Sequence, residues 1–144
     1  MTKLNYMLTM IDDTYDAYGT LEELILFTEA IRRWNIDAVD MLPEYMKFIY
    51  KTLLDVFNEI EDDLAKEGRS YCIPYAKDAE HKVIETYFVQ AKWFNEGYVP
   101  SMEEYMPVAL ISCAYTLVIT ISFLGMGDIA TRRLLNGCQI SQRL

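Results

Sequence analysis

Cysteine, histidine, glycine and proline are all scarce in this chain of 144 residues. The three cysteines show no CxxC spacing, so the sequence offers neither a disulfide framework nor a zinc site. A reducing compartment fits this usage, and we expect the protein to be cytoplasmic. The six glycines and four prolines are too few for a loop-rich all-β fold, and an apolar share of 52% excludes a disordered tail. His81, the single histidine, lies between Glu80 and Lys82 and is predicted to be a surface residue, not a ligand.

Positive charge is also in short supply, with 13 basic against 22 acidic residues and a net charge of −9. Nucleic acid carries the same sign, so the sequence predicts no nucleic-acid partner. An anionic ligand can still bind if a metal ion lies between the ligand and the protein.

One long stretch, residues 106–124, contains no charged side chain. Its length is marginal for crossing a bilayer, it contains Pro107 and four serine or threonine residues, and no basic cluster flanks it. We therefore expect a buried core helix and no membrane span.

Glycine, proline and capping residues divide the chain into helices. Thr20 with Glu23, and Ser101 with Glu104, each form a capping box that opens a helix. No strand alternation or internal repeat is present, so the predicted fold is an all-α antiparallel helical bundle with short turns. The first predicted helix ends near residue 18, and the other four span residues 21–34, 43–67, 74–96 and 101–124.

Two of these helices carry a clear apolar stripe, whereas the last one is apolar nearly all round. A helix apolar on every side needs neighbours on every side, and the first helix begins without an N-cap. The chain is therefore expected to be a piece of a larger helical domain. The third helix has its stripe at Ile49, Leu53, Val56, Ile60 and Leu64, opposite exposed acids, and the fourth at Ala79, Val83, Tyr87, Ala91 and Phe94.

Three aspartates, Asp12, Asp13 and Asp16, end the first helix. Asp12 and Asp16 are four residues apart and share a helix face. The helix C-terminus already carries partial negative charge, so three acids there need a cation, and Mg²⁺ takes such oxygen ligands. The alternative is that the acids are solvated and tolerated at a helix end. An apolar run precedes them, which favours the metal site.

The aspartate cluster and several further stretches together resemble the plant class I terpene cyclases, specifically the sesquiterpene synthases, and within them the delta-cadinene synthases. The likeness is carried by residues 12–20, 33–34, 42–47, 93–98 and 123–126. It implies a class I terpenoid synthase α-domain in which Asp12 and Asp16 coordinate Mg²⁺ (Mn²⁺ as substitute) and Asp13 supports them. The metal ions hold the diphosphate of farnesyl diphosphate or a similar prenyl diphosphate, and its departure starts a carbocation cascade in a dry cavity.

The resemblance also implies that the apolar helix is broken near its middle, with freed carbonyl groups facing the substrate cation. The residues at the implied break and beside it form the candidate substrate pocket: Ser112, Cys113, Ala114, Tyr115 and Thr116. For Ser112, Thr116 and Thr120 the alternative is a hydrogen bond to the carbonyl one turn back, and for Tyr115 it is core packing. Trp34 and Trp93 are predicted to be core residues.

A second metal motif of the form (N/D)Dxx(S/T)xxxE does not occur in the sequence. Asp62 and Asp63 form the only other aspartate pair, with Lys66 and Ser70 at the positions that need Ser or Thr and Glu. We therefore expect residues 1–128 to be a partial, truncated metal-binding domain and residues 129–144 a divergent tail. A second hypothesis follows: a non-catalytic helical fragment that binds Mg²⁺ weakly or self-associates through exposed apolar surface.

Overall fold

Seven α-helices form the structure, a computed structural model that describes residues 2–127 and 131–140. No strand occurs within these two ranges. The predicted boundary between residues 128 and 129 lies outside the described residues. The helices are α1 (Thr2–Asp13), α2 (Leu21–Arg33), α3 (Glu44–Lys66), α4 (Ile73–Glu96), α5 (Met102–Ser112), α6 (Tyr115–Leu124) and α7 (Arg132–Ile140).

Helix ends follow the signals in the sequence. Thr20 accepts from the Glu23 amide while Glu23 accepts from the Thr20 amide, and Ser101 and Glu104 repeat this arrangement at the start of α5. Gly97 ends α4 in the left-handed conformation that a residue without Cβ adopts freely. These local contacts confirm the predicted all-α fold.

The central helix of the bundle is α4, which packs against α2, α5 and α6, while α1 packs against α3. The predicted apolar stripe of α4 is buried except at its last position, Phe94, which is 84% exposed at the end of the helix. His81 is half-buried, not a surface residue, and its ring meets the edge of Trp34 at a centroid distance of 5.1 Å. Trp34 lies against the core as predicted.

The apolar segment differs from the expected buried helix in two respects. It is interrupted after Ser112, and its first half, α5, buries none of its side chains. Its second half, α6, buries only one side, with Leu117, Thr120, Ile121 and Leu124. Its neighbours within the described chain cover only part of it, so the prediction of a buried core helix was wrong.

Within the described residues, the segment Met102–Leu124 is long and apolar enough to cross a membrane, and 28% of its most apolar window is buried. Core helices of soluble proteins meet the same criterion, so this finding is weak support for a membrane span.

Candidate functional site

The aspartate cluster lies where α1 changes from an α-helix to a π-helical turn, Thr14–Tyr18. The Gly19 amide donates to the Thr14 carbonyl at 2.8 Å, which closes the wider turn. Turns of this kind are uncommon and occur often at functional sites. Asp12 and Asp13 therefore belong to α1, whereas Asp16 lies on the π-helical turn.

Buried contacts of Tyr15 hold the π-helical turn in place. Its hydroxyl lies 2.6 Å from the Thr28 hydroxyl on α2, and its ring packs against Phe27 and Tyr87 at centroid distances of 6.0 Å. Burial raises the pKa of Tyr15 far above its ordinary value. The side chain is therefore a neutral packing element that fixes the backbone on which Asp16 lies.

The carboxylates of the cluster repel one another, as the helix-end position predicts. Partial burial and the negative charge of Asp16 and Asp13 raise the pKa of Asp12, and a hydrogen bond from the Tyr87 hydroxyl opposes them. Asp12 is half-buried, whereas Asp13 and Asp16 are exposed. Among the described residues, no ion pair joins a basic side chain to Asp12, Asp13 or Asp16, so the negative charge has no counter-ion there.

These three carboxylates do not enclose a metal ion on their own. Across the described ranges, no three histidine, cysteine, aspartate or glutamate side chains are grouped closely enough to do so. The donor set nevertheless fits Mg²⁺, which binds through one or two carboxylates plus water and phosphate oxygens. On their own, these carboxylates supply at most part of a Mg²⁺ coordination shell.

A cleft of about 580 Å³ adjoins the cluster between the π-helical turn, the end of α4 and the start of α5. Asp16 forms part of its wall, opposite Trp93, Phe94 and Tyr105. Trp93 was predicted to be a core residue, but it is half-buried and lines this cleft. The cleft therefore combines one carboxylate with aromatic surface.

The interruption between α5 and α6 falls at Cys113 and Ala114, as the resemblance implied. Ala114 adopts the left-handed conformation with φ of 55°, which a residue with a Cβ rarely does. The Ala114 amide donates to the Ile111 carbonyl. Within the described chain, no backbone amide donates to the carbonyl groups of Ser112 and Cys113.

The candidate pocket residues are divided between two places. Tyr115 and Thr116 line a second cleft of about 560 Å³ between α6 and α7, where Tyr115 is 65% exposed and so is not a core residue. Ser112 Oγ accepts a hydrogen bond of 3.0 Å from Gln90, which lines the first cleft. Ala114 is buried and Cys113 is exposed. The hydroxyls of Ser112 and Thr120 also donate to carbonyl groups of their own helix.

Sequence reasoning missed Gln90 and Tyr87 as parts of the site. Gln90 carried no signal, because a glutamine between apolar residues on a long helix is usually a surface residue. Tyr87 was assigned to the stripe of α4, and it is buried there, but its hydroxyl reaches Asp12. Only the packing of α4 against α5 and the π-helical turn reveals these contacts.

Comparison with known proteins shows the family of the chain. Residues 1–142 match the model of the terpene synthase family, metal binding domain. Over 92% of its length the chain is 75% identical to terpene synthase 1 of Citrus sinensis and 54% identical to (−)-germacrene D synthase of Vitis vinifera, covering 24% of each. The chain thus spans about a quarter of the length of these curated relatives.

Solved structures show the same fold. The structure of isoprene synthase from grey poplar leaves, in complex with three Mg²⁺ ions and dimethylallyl-S-thiolodiphosphate, superposes with a TM-score of 0.85. The sequence identity is 31%, and the match covers 96% of this chain and 26% of that one. With the aspartate cluster, the broken helix and the match of residues 1–142 to the family's metal binding domain, the chain belongs to the terpene synthase family.

Proposed function

We propose that this chain provides the first metal-binding motif of a Mg²⁺-dependent sesquiterpene cyclase, a carbon–oxygen lyase acting on farnesyl diphosphate. The observation that supports this most is the repulsion between Asp12 and Asp16, which no ion pair among the described residues relieves, next to an aromatic cleft that Asp16 lines. Such a site favours a divalent cation, and the cation in turn accepts an anionic substrate. The proposed activity of the whole protein is ionisation and cyclisation of the prenyl diphosphate with release of diphosphate.

Each aspartate has its own role in the proposal. Asp12 and Asp16 bind Mg²⁺ directly, with Mn²⁺ as an alternative, and Asp13 supports them from the exposed side. When bound, Mg²⁺ would supply positive charge that neutralises the charge developing on the oxygens of the departing diphosphate. Tyr87 holds the Asp12 carboxylate through its hydroxyl and so limits the rotamers that this ligand samples.

The broken helix serves the hydrocarbon part of the substrate in this proposal. The freed carbonyl oxygens of Ser112 and Cys113 attract positive charge, and the aromatic face of Tyr115 does the same. Cys113, Ala114 and Thr116 complete the pocket wall, which must exclude water to protect a carbocation. A delta-cadinene-like product and a cytoplasmic location belong to the proposal as well.

The domain division is also part of the proposal. Residues 1–128 carry the function described above as a partial metal-binding domain, and residues 129–144 form a divergent tail. The family match itself continues to residue 142.

Binding of inorganic diphosphate tests the proposal directly. Isothermal titration of the purified chain with diphosphate is expected to give saturable binding only when Mg²⁺ is present. Asp12→Asn and Asp16→Asn should each weaken this binding at least about tenfold, because a charged ligand to the metal is lost. Asp62→Asn removes the same charge from the exposed face of α3 and is the matched control.

Two outcomes contradict the proposal. One is diphosphate binding that does not depend on Mg²⁺, and the other is equal weakening by Asp62→Asn. Diphosphate release from farnesyl diphosphate, with analysis of the hydrocarbons formed, then asks whether the chain itself turns over substrate and which product it makes.

A second candidate function has its own support. None of the α5 side chains is fully buried, and Met102, Met106 and Leu110 are exposed. Contiguous apolar surface of this kind marks interaction sites. The alternative is therefore a non-catalytic helical protein that binds Mg²⁺ weakly and self-associates through α5.

Light scattering separates the two functions. Self-association through α5 predicts a mass that rises with concentration and returns to that of a monomer in the variant Met106→Glu/Leu110→Glu. A monomer at all concentrations contradicts the alternative and leaves the cyclase proposal standing.

A further inference from the structure

Gln90 is joined to the interrupted helix by a specific hydrogen bond. Its side-chain amide on α4 donates to Ser112 Oγ at 3.0 Å. Ser112 is the last residue of α5 and directly precedes the interruption. In the described part of the chain, this is the one side-chain hydrogen bond from another helix to residues 112–114.

The interruption is held open against the preference of its own sequence. A continuous helix would let the amides of Thr116 and Leu117 donate to the carbonyl groups of Ser112 and Cys113, and it would release Ala114 from a left-handed conformation. Neither gain is realised in the structure. Contacts outside residues 112–116 must therefore favour the broken form.

The two halves of the helix are anchored differently. Helix α6 is fixed by four buried side chains, whereas α5 has none. Apolar contact at the end of α5 is limited to partly buried side chains such as Ile111, and the bond to Gln90 adds a directional contact there. Ala114 lies between these two differently anchored helices and adopts the left-handed backbone conformation that interrupts them.

We propose that Gln90 is a positioning residue: by holding Ser112 it keeps the helix interrupted and leaves the carbonyl groups of Ser112 and Cys113 free to receive a positively charged ligand. The ligand half of this inference rests on the function proposed above. The conformational half rests only on contacts within this chain, and each half has its own measurement.

Hydrogen exchange measures the conformational half. In Gln90→Leu, a variant of similar size without a donor, the amides of Thr116 and Leu117 should exchange at least about tenfold more slowly, because they gain backbone acceptors. A purely structural role for Gln90 predicts the opposite sign, since destabilisation accelerates exchange. Ser112→Ala should reproduce the effect, and the double variant should add nothing to it.

The matched control is Asn95→Leu. Asn95 lines the same cleft, but its side chain donates to the Ala91 carbonyl of its own helix and does not reach α5. Exchange at Thr116 and Leu117 should stay unchanged in this variant. Faster or unchanged exchange in Gln90→Leu overturns the inference, whatever the ligand experiments give.

Ligand selectivity measures the other half. The probes are a farnesyl mimic with a tertiary ammonium nitrogen and its neutral carbon isostere, each with Mg²⁺ and inorganic diphosphate. Gln90→Leu should lower the affinity ratio of the ammonium to the neutral probe about fivefold, the usual effect of one hydrogen bond. Binding of diphosphate itself should not change.

The outcomes separate the two proposals. Slower exchange with an unchanged affinity ratio contradicts the ligand half and leaves the conformational role. Absence of any Mg²⁺-dependent binding in the unmodified chain contradicts the proposed function, while the exchange result still decides the role of Gln90 in holding the interruption.

Discussion

The guanidinium group of Arg69 donates a hydrogen bond of 3.1 Å to the carbonyl oxygen of Leu124, the last residue of α6. A second bond of 3.1 Å reaches the carbonyl of Phe123, and Glu67 accepts a third. Arg69 is only 4% exposed. A cation at a helix C-terminus satisfies unpaired carbonyl groups and complements the helix dipole. Arg69 therefore anchors the far end of α6 from the connection between α3 and α4.

Arg69→Met is expected to lower the free energy of unfolding by about 2–4 kcal/mol, because the buried Leu124 carbonyl loses the Arg69 donor and the Phe123 carbonyl is left with the Met126 amide. Arg69→Lys should fall in between, since an ammonium group keeps the charge but cannot reproduce the planar fork. Urea unfolding followed by circular dichroism measures both. Arg33→Met, at an exposed arginine paired with Glu29, is the control and should change little. Equal effects at the two positions would show that α6 does not depend on this anchor.

Ala114→Gly is expected to raise the free energy of unfolding by about 1 kcal/mol. Glycine adopts the left-handed conformation without a steric cost, whereas the Cβ of Ala114 clashes with the backbone in that conformation. Ala109→Gly, inside α5, should lower it by about 1 kcal/mol because glycine is a poor helix former. Thermal unfolding of the pair compares the same chemical change on both sides of the interruption. Destabilisation by both would mean that residue 114 is helical in solution.

Gly19→Ala is expected to lower the free energy of unfolding by about 1–3 kcal/mol through overpacking. A Cβ at Gly19 would lie 2.6 Å from Leu24 Cδ2 and 3.0 Å from the Thr14 carbonyl that closes the π-helical turn. The backbone there has φ of −84°, so the clash alone causes the cost. Gly137→Ala on α7 should be neutral or stabilising, because an added Cβ there would meet no atom within 4 Å apart from the nearby backbone of its own helix. Chemical denaturation of both variants tests the prediction, which fails if Gly19→Ala is as stable as the unmodified chain.

Features set by neighbouring residues were predictable from the sequence. The two capping boxes and the left-handed end at Gly97 depend on contacts within a few positions, and each is present. The bounds of α2, α3 and α4 consequently agree with the prediction to within a few residues. The resemblance to the family added the interruption near Ala114, which helix propensity alone would not predict.

Features set by packing were not predictable in the same way. The π-helical turn depends on Tyr15 reaching Thr28, and the contact of Gln90 with Ser112 joins two helices. Phe94 fits the apolar period of α4, yet it lies in the last turn, where no neighbouring helix in the described part of the chain covers its side chain. Periodicity identifies the face of a helix, but only the tertiary structure shows whether another element covers that face.

Glu80 is a buried carboxyl group with no counter-ion in the described part of the chain, and it makes the stability of the chain depend on pH. It is 1% exposed, its Oε2 has no hydrogen-bond partner among the described residues, and burial raises its pKa from 4.5 to about 7. Between these values the unfolded chain loses the proton while the folded chain keeps it. Stability from this group is therefore complete below about pH 4.5 and is lost as the pH rises toward about 7.

Glu80→Gln removes the titration while keeping the shape of the side chain. Relative to the unmodified chain, the variant should gain nothing near pH 4.5 and roughly 3 kcal/mol above about pH 8, the free energy of a shift of this size. Urea midpoints measured across that range give the difference at each pH. Glu103→Gln removes one exposed negative charge from α5 and controls for net charge. A gain that is the same at every pH would mean that Glu80 stays ionised in the fold, which requires a counter-ion or a water path to its carboxylate.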